Sequence, residues 1–488
     1  MARSSLTAIL IVVVMVYVGL EQRRQYVASR DKVLGGFPPI AAGRADRTAA
    51  SLSSFTDSSP TPVNPPRRSS VEDGSRSFRK ESAAQPQEPS ASIIWSRKIG
   101  TGYSAPVVAD GRLILVHRCD DEEVVSCFNC ETGEPLWEHR YGTAFECEYP
   151  TYSSGPYSTP VTGDAAVCVQ SAEGGLRCLS LSDGTLIWSR DLTQDYGVEL
   201  QGYGVAHSPL LDHGRLFLNL GGTIGHSAVV ALDAETGETI WTSGVSARAA
   251  EWGLSCATPV SAEVDGSPYL LVLASDALYC LNPDDGAILD RFKAGAHNRT
   301  NPNATTPLVV GDLVLLSICL DNCWCLRIQN DGQFQEVWQN KKTLQSLFNP
   351  LSFVDGCVYG WNSFDKTLRC IDLQTGAVLW KERTEFARGS QAVADGKLFV
   401  IGEFGEFGVI AVNGAKYEKL FSTVEPLLKA PCFSRPALSN GRLYLRNEET
   451  LICLDLRQHP AGKRAAEFSK SRRRFRSHDV STSVFTRS

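Results

Sequence analysis

The sequence predicts an all-β protein built as an eight-bladed β-propeller, closed by a strand from the N-terminal side of the domain. Three observations predict it. A segment typified by "VVALDAETGETIW" (229–241) recurs along the chain: an apolar strand, an Asp/Glu-Thr-Gly turn, and a Trp four residues after the Gly. A second pattern precedes each copy: a small residue and proline, then apolar alternation over a turn such as Asp-Gly. The second pattern occurs eight times at intervals of about 40–54 residues, the spacing of four-stranded propeller blades. Between 92 and 458 no helical periodicity of useful length competes with this reading.

The chain has 488 residues. Its first element is an apolar run at 6–20, short for a spanning helix and suited to a signal core. Tyr17 stands where a cleavage site needs a small residue, so residues 1–22 read as an uncleaved signal anchor in preference to a cleaved signal peptide. Orientation stays open. Arg23, Arg24, Arg30 and Lys32 outnumber Arg3, which argues for a cytoplasmic C-terminal side. Residues 23–91, rich in Ser and Pro, read instead as a disordered spacer that holds a domain off a membrane on the envelope side.

The propeller follows at 92–458. Copies of the first pattern end at Trp137, Trp188, Trp241, Asp290, Trp338, Trp380 and Phe421. The second pattern begins at 104, 158, 208, 258, 306, 349, 389 and 434. The eighth copy stops early at "LICLDLRQ" (451–458), whereas "SIIWSRKIG" (92–100) carries Trp95 with no repeat before it. Pairing 93–98 with 451–456 supplies the missing outer strand and leaves no open edge. Residues 459–488 read as a basic, disordered tail.

These motifs resemble the pyrroloquinoline-quinone (PQQ) repeat propellers, a family that includes quinoprotein alcohol dehydrogenases and BamB-like outer-membrane assembly proteins. The resemblance covers roughly 92–457. It implies that Trp95, Trp137, Trp188, Trp241, Trp338 and Trp380 each dock on the neighbouring blade. Asp290 and Phe421 depart from the pattern, so blades 4 and 7 are expected to be less regular. The dehydrogenases also need an adjacent Cys pair, a Ca²⁺ site and a catalytic Asp. This chain has no adjacent cysteines and no heme-binding Cys-x-x-Cys-His. The resemblance therefore implies a non-catalytic scaffold at the cell envelope, with no cofactor expected and a protein or peptide partner. An alcohol-type oxidoreductase using PQQ with Ca²⁺ is the rival, and a sensor ectodomain is a third reading.

Six of the 15 cysteines align with the same repeat. Cys127, Cys178, Cys280 and Cys370 fall six residues before the turn Gly, where 229–241 has Ala231, and Cys325 and Cys453 fit with small adjustments. A position that alternates Cys with Ala is a tight buried slot. A disulfide within Cys319, Cys323 and Cys325 is the alternative use for that hairpin, and an odd count leans towards a reducing compartment.

Propellers bind at the channel mouth, so the residues before each inner strand are the site candidates: Tyr103, Tyr157, His207, Ser255, Asn303, Asn349, Arg388 and Arg435. The loops leading in add Tyr149, Tyr152, Tyr203, Trp252 and Arg299, a mixture suited to peptide or carbohydrate recognition. Asn298 and Asn303 begin glycosylation sequons by pattern. The net charge is −6; the first 91 residues carry +4 and the last 30 carry +6, leaving −16 on the propeller. An acidic body argues against nucleic acid as a partner. A monomer is expected.

Overall fold

The computed structural model describes residues 92–457 apart from 150–151, 201, 221–228, 245–254, 295–302, 320 and 342. The anchor, the spacer, the basic tail, Trp252, Arg299 and Asn298 lie outside the described residues. The described residues form eight four-stranded sheets with strands ordered outward in sequence. Blade 1 is β2 (Val107–Ala109), β3 (Arg112–Cys119), β4 (Glu122–Asn129) and β5 (Pro135–Gly142), all antiparallel. Its short first strand touches β6 (Val161–Thr162) of blade 2 and β30 (Ala437–Ser439) of blade 8, which places the first strands around the axis. In blade 8, β31 (Arg442–Arg446) and β32 (Thr450–Asp455) are completed by β1 (Ser92–Lys98). Lys98 lies opposite Thr450 and Ser92 opposite Asp455, so the ring closes as the truncated eighth repeat requires.

Local chemistry explains the blades. Asp110–Gly111, His213–Gly214, Asp265–Gly266 and three similar pairs have positive φ at both residues, the turn whose twist suits a two-residue hairpin. Second and third strands, such as β11 (Arg215–Asn219) and β12 (Val229–Asp233), are buried on both faces between neighbours. Outer strands such as β5 are mostly exposed. In the Asp-x-x-Thr-Gly turn, Asp233 Oδ1 accepts from the N–H groups of Glu235 and Thr236, and Thr236 Oγ1 accepts from Glu238 N–H. One five-residue helix, α1 (Leu192–Tyr196), follows blade 2, capped by Asp191.

The repeated Trp reaches the next blade. Each of the six indole Nε1–H groups donates to a carbonyl there: Cys130, Leu181, Ala234, Pro283, Leu373 and Asn413, over 2.7–3.3 Å. Five of the rings lie on the next turn glycine; a Cβ on Gly184 would sit 2.4 Å from Trp137. A bulge beside this position breaks the register of the outer two strands in every blade. In the repeats it lets the preceding aliphatic, such as Ile187 or Ile240, face outward while Trp faces inward.

Blades 4 and 7 are as regular as the rest in strand number and register, against expectation. Other residues fill the Trp slot. In blade 4, Leu289 lies on Gly332 and the Tyr269 hydroxyl donates to Asn330 O at 2.7 Å. Asp290 instead accepts from Phe334 N–H at 2.6 Å. In blade 7, Phe421 packs 6.2 Å from Phe407, and Tyr417, standing where the turn Gly belongs, meets Trp380 edge-on. The slot cysteines Cys127, Cys178, Cys325, Cys370 and Cys453 lie directly opposite Trp137, Trp188, Trp338, Trp380 and Trp95, and all are buried. All 15 cysteines are free, so the 319–325 hairpin carries no disulfide.

Candidate functional site

The eight positions precede the inner strands of the eight blades, and seven of them are buried. Arg435 is half-buried. Their polar groups hold neighbouring blades together. Asn303 Nδ2 donates to Ala274 O at 2.7 Å, and Ser255 Oγ lies 2.6 Å from Leu273 O and 3.0 Å from Asn303 O. Asn349 Nδ2 donates to the carbonyls of Arg388 and Gly389. Arg388 forms a buried, two-bond ion pair with Glu403, at 2.6 and 3.0 Å. His207 Nε2 accepts from Asn219 N–H, and burial alone lowers its pKa to about 3, so it stays neutral. Asn303 is too enclosed to carry a glycan, which removes its sequon as a modification site.

The small residue directly before the proline of the second pattern has a role that sequence reasoning missed. Ala105 N–H donates to Thr159 Oγ1, Thr159 N–H to Ser208 Oγ, Ser208 N–H to Thr258 Oγ1, and Thr258 N–H to Thr306 Oγ1. This chain of bonds runs around the axis through five blades. The signal was the hydroxyl residue recurring at one register. Arg446 was also missed: its guanidinium donates to the carbonyls of Asn447, Ser104, Val116 and Gly100, fastening blade 8 to blade 1.

Aromatic rings fill the space between these groups. Tyr103 stacks on Tyr157 at 6.1 Å and meets Phe433 edge-on at 5.5 Å, and Phe433 meets Phe348. Tyr203 contacts Tyr157, Tyr149 and Tyr152 at 5.9, 4.8 and 5.9 Å. With Phe145, Leu347 and Cys256 these rings form one apolar cluster drawn from most of the blades. Tyr149 and Tyr152 are its half-buried outer members, flanked by exposed Glu146 and Glu148. Arg118 fixes that loop by donating to Phe145 O and to the Glu146 carboxylate.

Two other clusters of titratable groups resemble catalytic arrangements. His117 and Ser126 are 2.9 Å apart, like a base and its nucleophile. Gly100 N–H, however, donates to His117 Nδ1 at 3.0 Å, which leaves the proton on Nε2, and Ser126 Oγ donates onward to Glu138. The imidazole therefore cannot accept the serine proton. Burial and the Arg446 charge hold its pKa at about 4.

The second cluster lies between blades 1 and 2. Glu123 is fully buried, accepts from Tyr141 Oη at 2.9 Å, and Arg177 lies 3.6 Å from the centre of the Tyr141 ring. Burial pushes the Glu123 carboxyl up to about 7, against the opposing pull of these partners. An unfolded Glu titrates near 4.5, so this group's stabilisation is complete below that pH and is lost as pH rises through about 7. Glu123→Gln is expected to remove a loss of about 2–3 kcal/mol. Urea midpoints at pH 5 and pH 8 check it: the variant should gain on the wild type at the higher pH.

A sequence profile of the family described as PQQ_2, outer membrane protein assembly factor BamB, matches residues 80–193 and 120–382. The outer membrane protein assembly factor BamB of Yersinia pestis is 25% identical over 236 residues, covering 47% of this chain and 52% of that protein. The Escherichia coli K12 protein of the same name is 27% identical over 141 residues, covering 29% of this chain and 31% of that one. The chain thus spans about half the length, or less, of the curated relatives it matches. Among solved structures, BamB from Moraxella catarrhalis superposes with a TM-score of 0.55 at 14% identity, over 76% of this chain and 100% of that one. Quinohemoprotein alcohol dehydrogenase from Comamonas testosteroni gives 0.53 at 14% identity, over 76% and 78%. At such identities the superpositions establish the fold alone, which scaffolds and dehydrogenases share.

Proposed function

Because this chain belongs to the PQQ_2 family, outer membrane protein assembly factor BamB, we propose that it is a non-catalytic scaffold that binds a protein partner in outer-membrane protein assembly. It would act at the cell envelope, held there by the N-terminal segment. Among the described residues no helix is long and apolar enough to cross a membrane.

The observation that carries the non-catalytic reading is the packing of the channel mouth. Aromatic side chains and blade-to-blade hydrogen bonds pack the residues that precede the inner strands, which supports a structural role for them. Among the described residues no group of three or more His, Cys, Asp or Glu could hold a metal ion. The chain also has no adjacent cysteine pair.

The partner surface we assign is Tyr149 and Tyr152 with Glu146 and Glu148. Tyrosines already packed on one side offer contact area at little entropic cost, and the carboxylates give the patch a sign. With the full chain immobilised, solubilised envelope extract should yield components of the outer-membrane assembly machinery. Tyr149→Ala with Tyr152→Ala should weaken that capture about tenfold or more. Adding PQQ and Ca²⁺ to the same protein tests the rival. A stoichiometric quinone absorbance with dye-linked alcohol oxidation would replace the scaffold reading.

A further inference from the structure

Blade 2 departs from the repeat at one position that no other feature explains. The residue opposite the buried slot is large in every other blade: Ile114 faces Cys127, Phe217 faces Ala231, Leu271 faces Cys280 and Leu315 faces Cys325. Tyr359 faces Cys370, Phe399 faces Val409 and Tyr444 faces Cys453 in the same register. In blade 2 alone the slot cysteine, Cys178 of β8 (Gly175–Ser180), faces a second cysteine, Cys168 of β7 (Ala166–Gln170).

We propose that Cys168 and Cys178 are a peroxide-oxidisable pair that closes into a cross-strand disulfide. Directly opposed residues of an antiparallel pair have Cα atoms ~4.5–5.5 Å apart, inside the ~4.4–6.8 Å that a disulfide spans. The bond therefore needs side-chain rotation and a slight approach of the strands, with no change of register. The adjacent Cys168 thiol holds the Cys178 thiol below its ordinary value, whereas burial pushes Cys127, Cys280 and Cys370 up to about 12. Cys178 is thus the attacking sulfur and Cys168 the resolving one.

The chemistry balances with a hydroperoxide as oxidant. The Cys178 thiolate attacks one oxygen of hydrogen peroxide; the O–O bond breaks, leaving Cys178 sulfenic acid and releasing water. The Cys168 sulfur then attacks the sulfenic sulfur; the S–O bond breaks, the disulfide forms and a second water leaves. Two thiols lose two electrons and two protons, and the peroxide is reduced. Both sulfurs are buried, so a small peroxide reaches them by local opening of the sheet while a bulky disulfide such as oxidised glutathione is excluded.

The test uses the full chain, reduced, desalted, treated with hydrogen peroxide, and blocked with N-ethylmaleimide before denaturation. Trypsin cuts after Arg177 and so separates 141–177 from 178–190. The expected product is these two peptides joined through Cys168 and Cys178, with two thiols lost per chain. Cys147→Ser, which removes the other cysteine of 141–177, should leave the bridge intact. Cys168→Leu, the residue type at this position in blades 4 and 5, should abolish it. Separate alkylated peptides, a bridge through Cys147, or a mixture of many pairings would each overturn the proposal. So would bridging by oxidised glutathione as fast as by peroxide.

Discussion

Arg446→Met is expected to destabilise the propeller by about 4 kcal/mol, because a buried charged donor group is removed and its acceptors stay buried. The guanidinium is almost fully enclosed and donates to four backbone carbonyls at 2.9–3.4 Å, three of them in the segment that opens blade 1. Methionine fills the volume but donates nothing. Urea unfolding should show a lower midpoint with an unchanged slope, since the native surface is the same. The loss should approach that of deleting β1, because both changes act on the junction of blades 8 and 1. A midpoint shift no larger than that of an exposed arginine, such as Arg140→Met, would contradict the role assigned to Arg446.

Gly184→Ala should cost about 3 kcal/mol, combining backbone strain with overpacking. Gly184 has φ +74°, and its Cβ would lie 2.4 Å from Trp137. Gly214 is the control, with φ +73° and nothing within 4 Å of a Cβ. Gly214→Ala should therefore cost about 1 kcal/mol, the strain alone. The difference between the two measures what the Trp–Gly contact demands of the next blade. Trp137→Ala combined with Gly184→Ala should recover part of the Gly184 penalty, since the clash then disappears.

The repeat was legible because each of its marks has a local cause. The turn glycine needs left-handed backbone, the Asp supplies an acceptor for two N–H groups, and the Trp recurs at fixed spacing from both. The cysteine slot was legible for a related reason: alternation of Cys with Ala reports volume, and volume is set by the Trp directly across the sheet. The regularity of blades 4 and 7 was not legible. Asp290 and Phe421 break the pattern in sequence, yet in blade 4 Tyr269 lies elsewhere in its repeat and reaches the Trp slot only once the strands are paired, and in blade 7 Phe421 packs on Phe407 of the neighbouring strand.

The candidate site shows the same division. Tyr103, His207, Asn303 and Arg388 precede inner strands, a position the repeat makes legible, and all four are buried. Whether such residues face solvent or one another depends on how eight separate segments converge, and no single repeat contains that information. Their burial shifts attention to Tyr149 and Tyr152 on the rim.

Sequence by itself determined the number of blades, their boundaries, the closing strand and the docking tryptophans, since each depends on contacts between residues close in the chain or related by the repeat. Tertiary structure alone decided that the channel mouth is packed, that Arg446 fastens the ring, and that Cys168 faces Cys178. The last pair is close in sequence, but only strand register makes the two sulfurs neighbours, and the rest depend on side chains from different blades meeting at one axis.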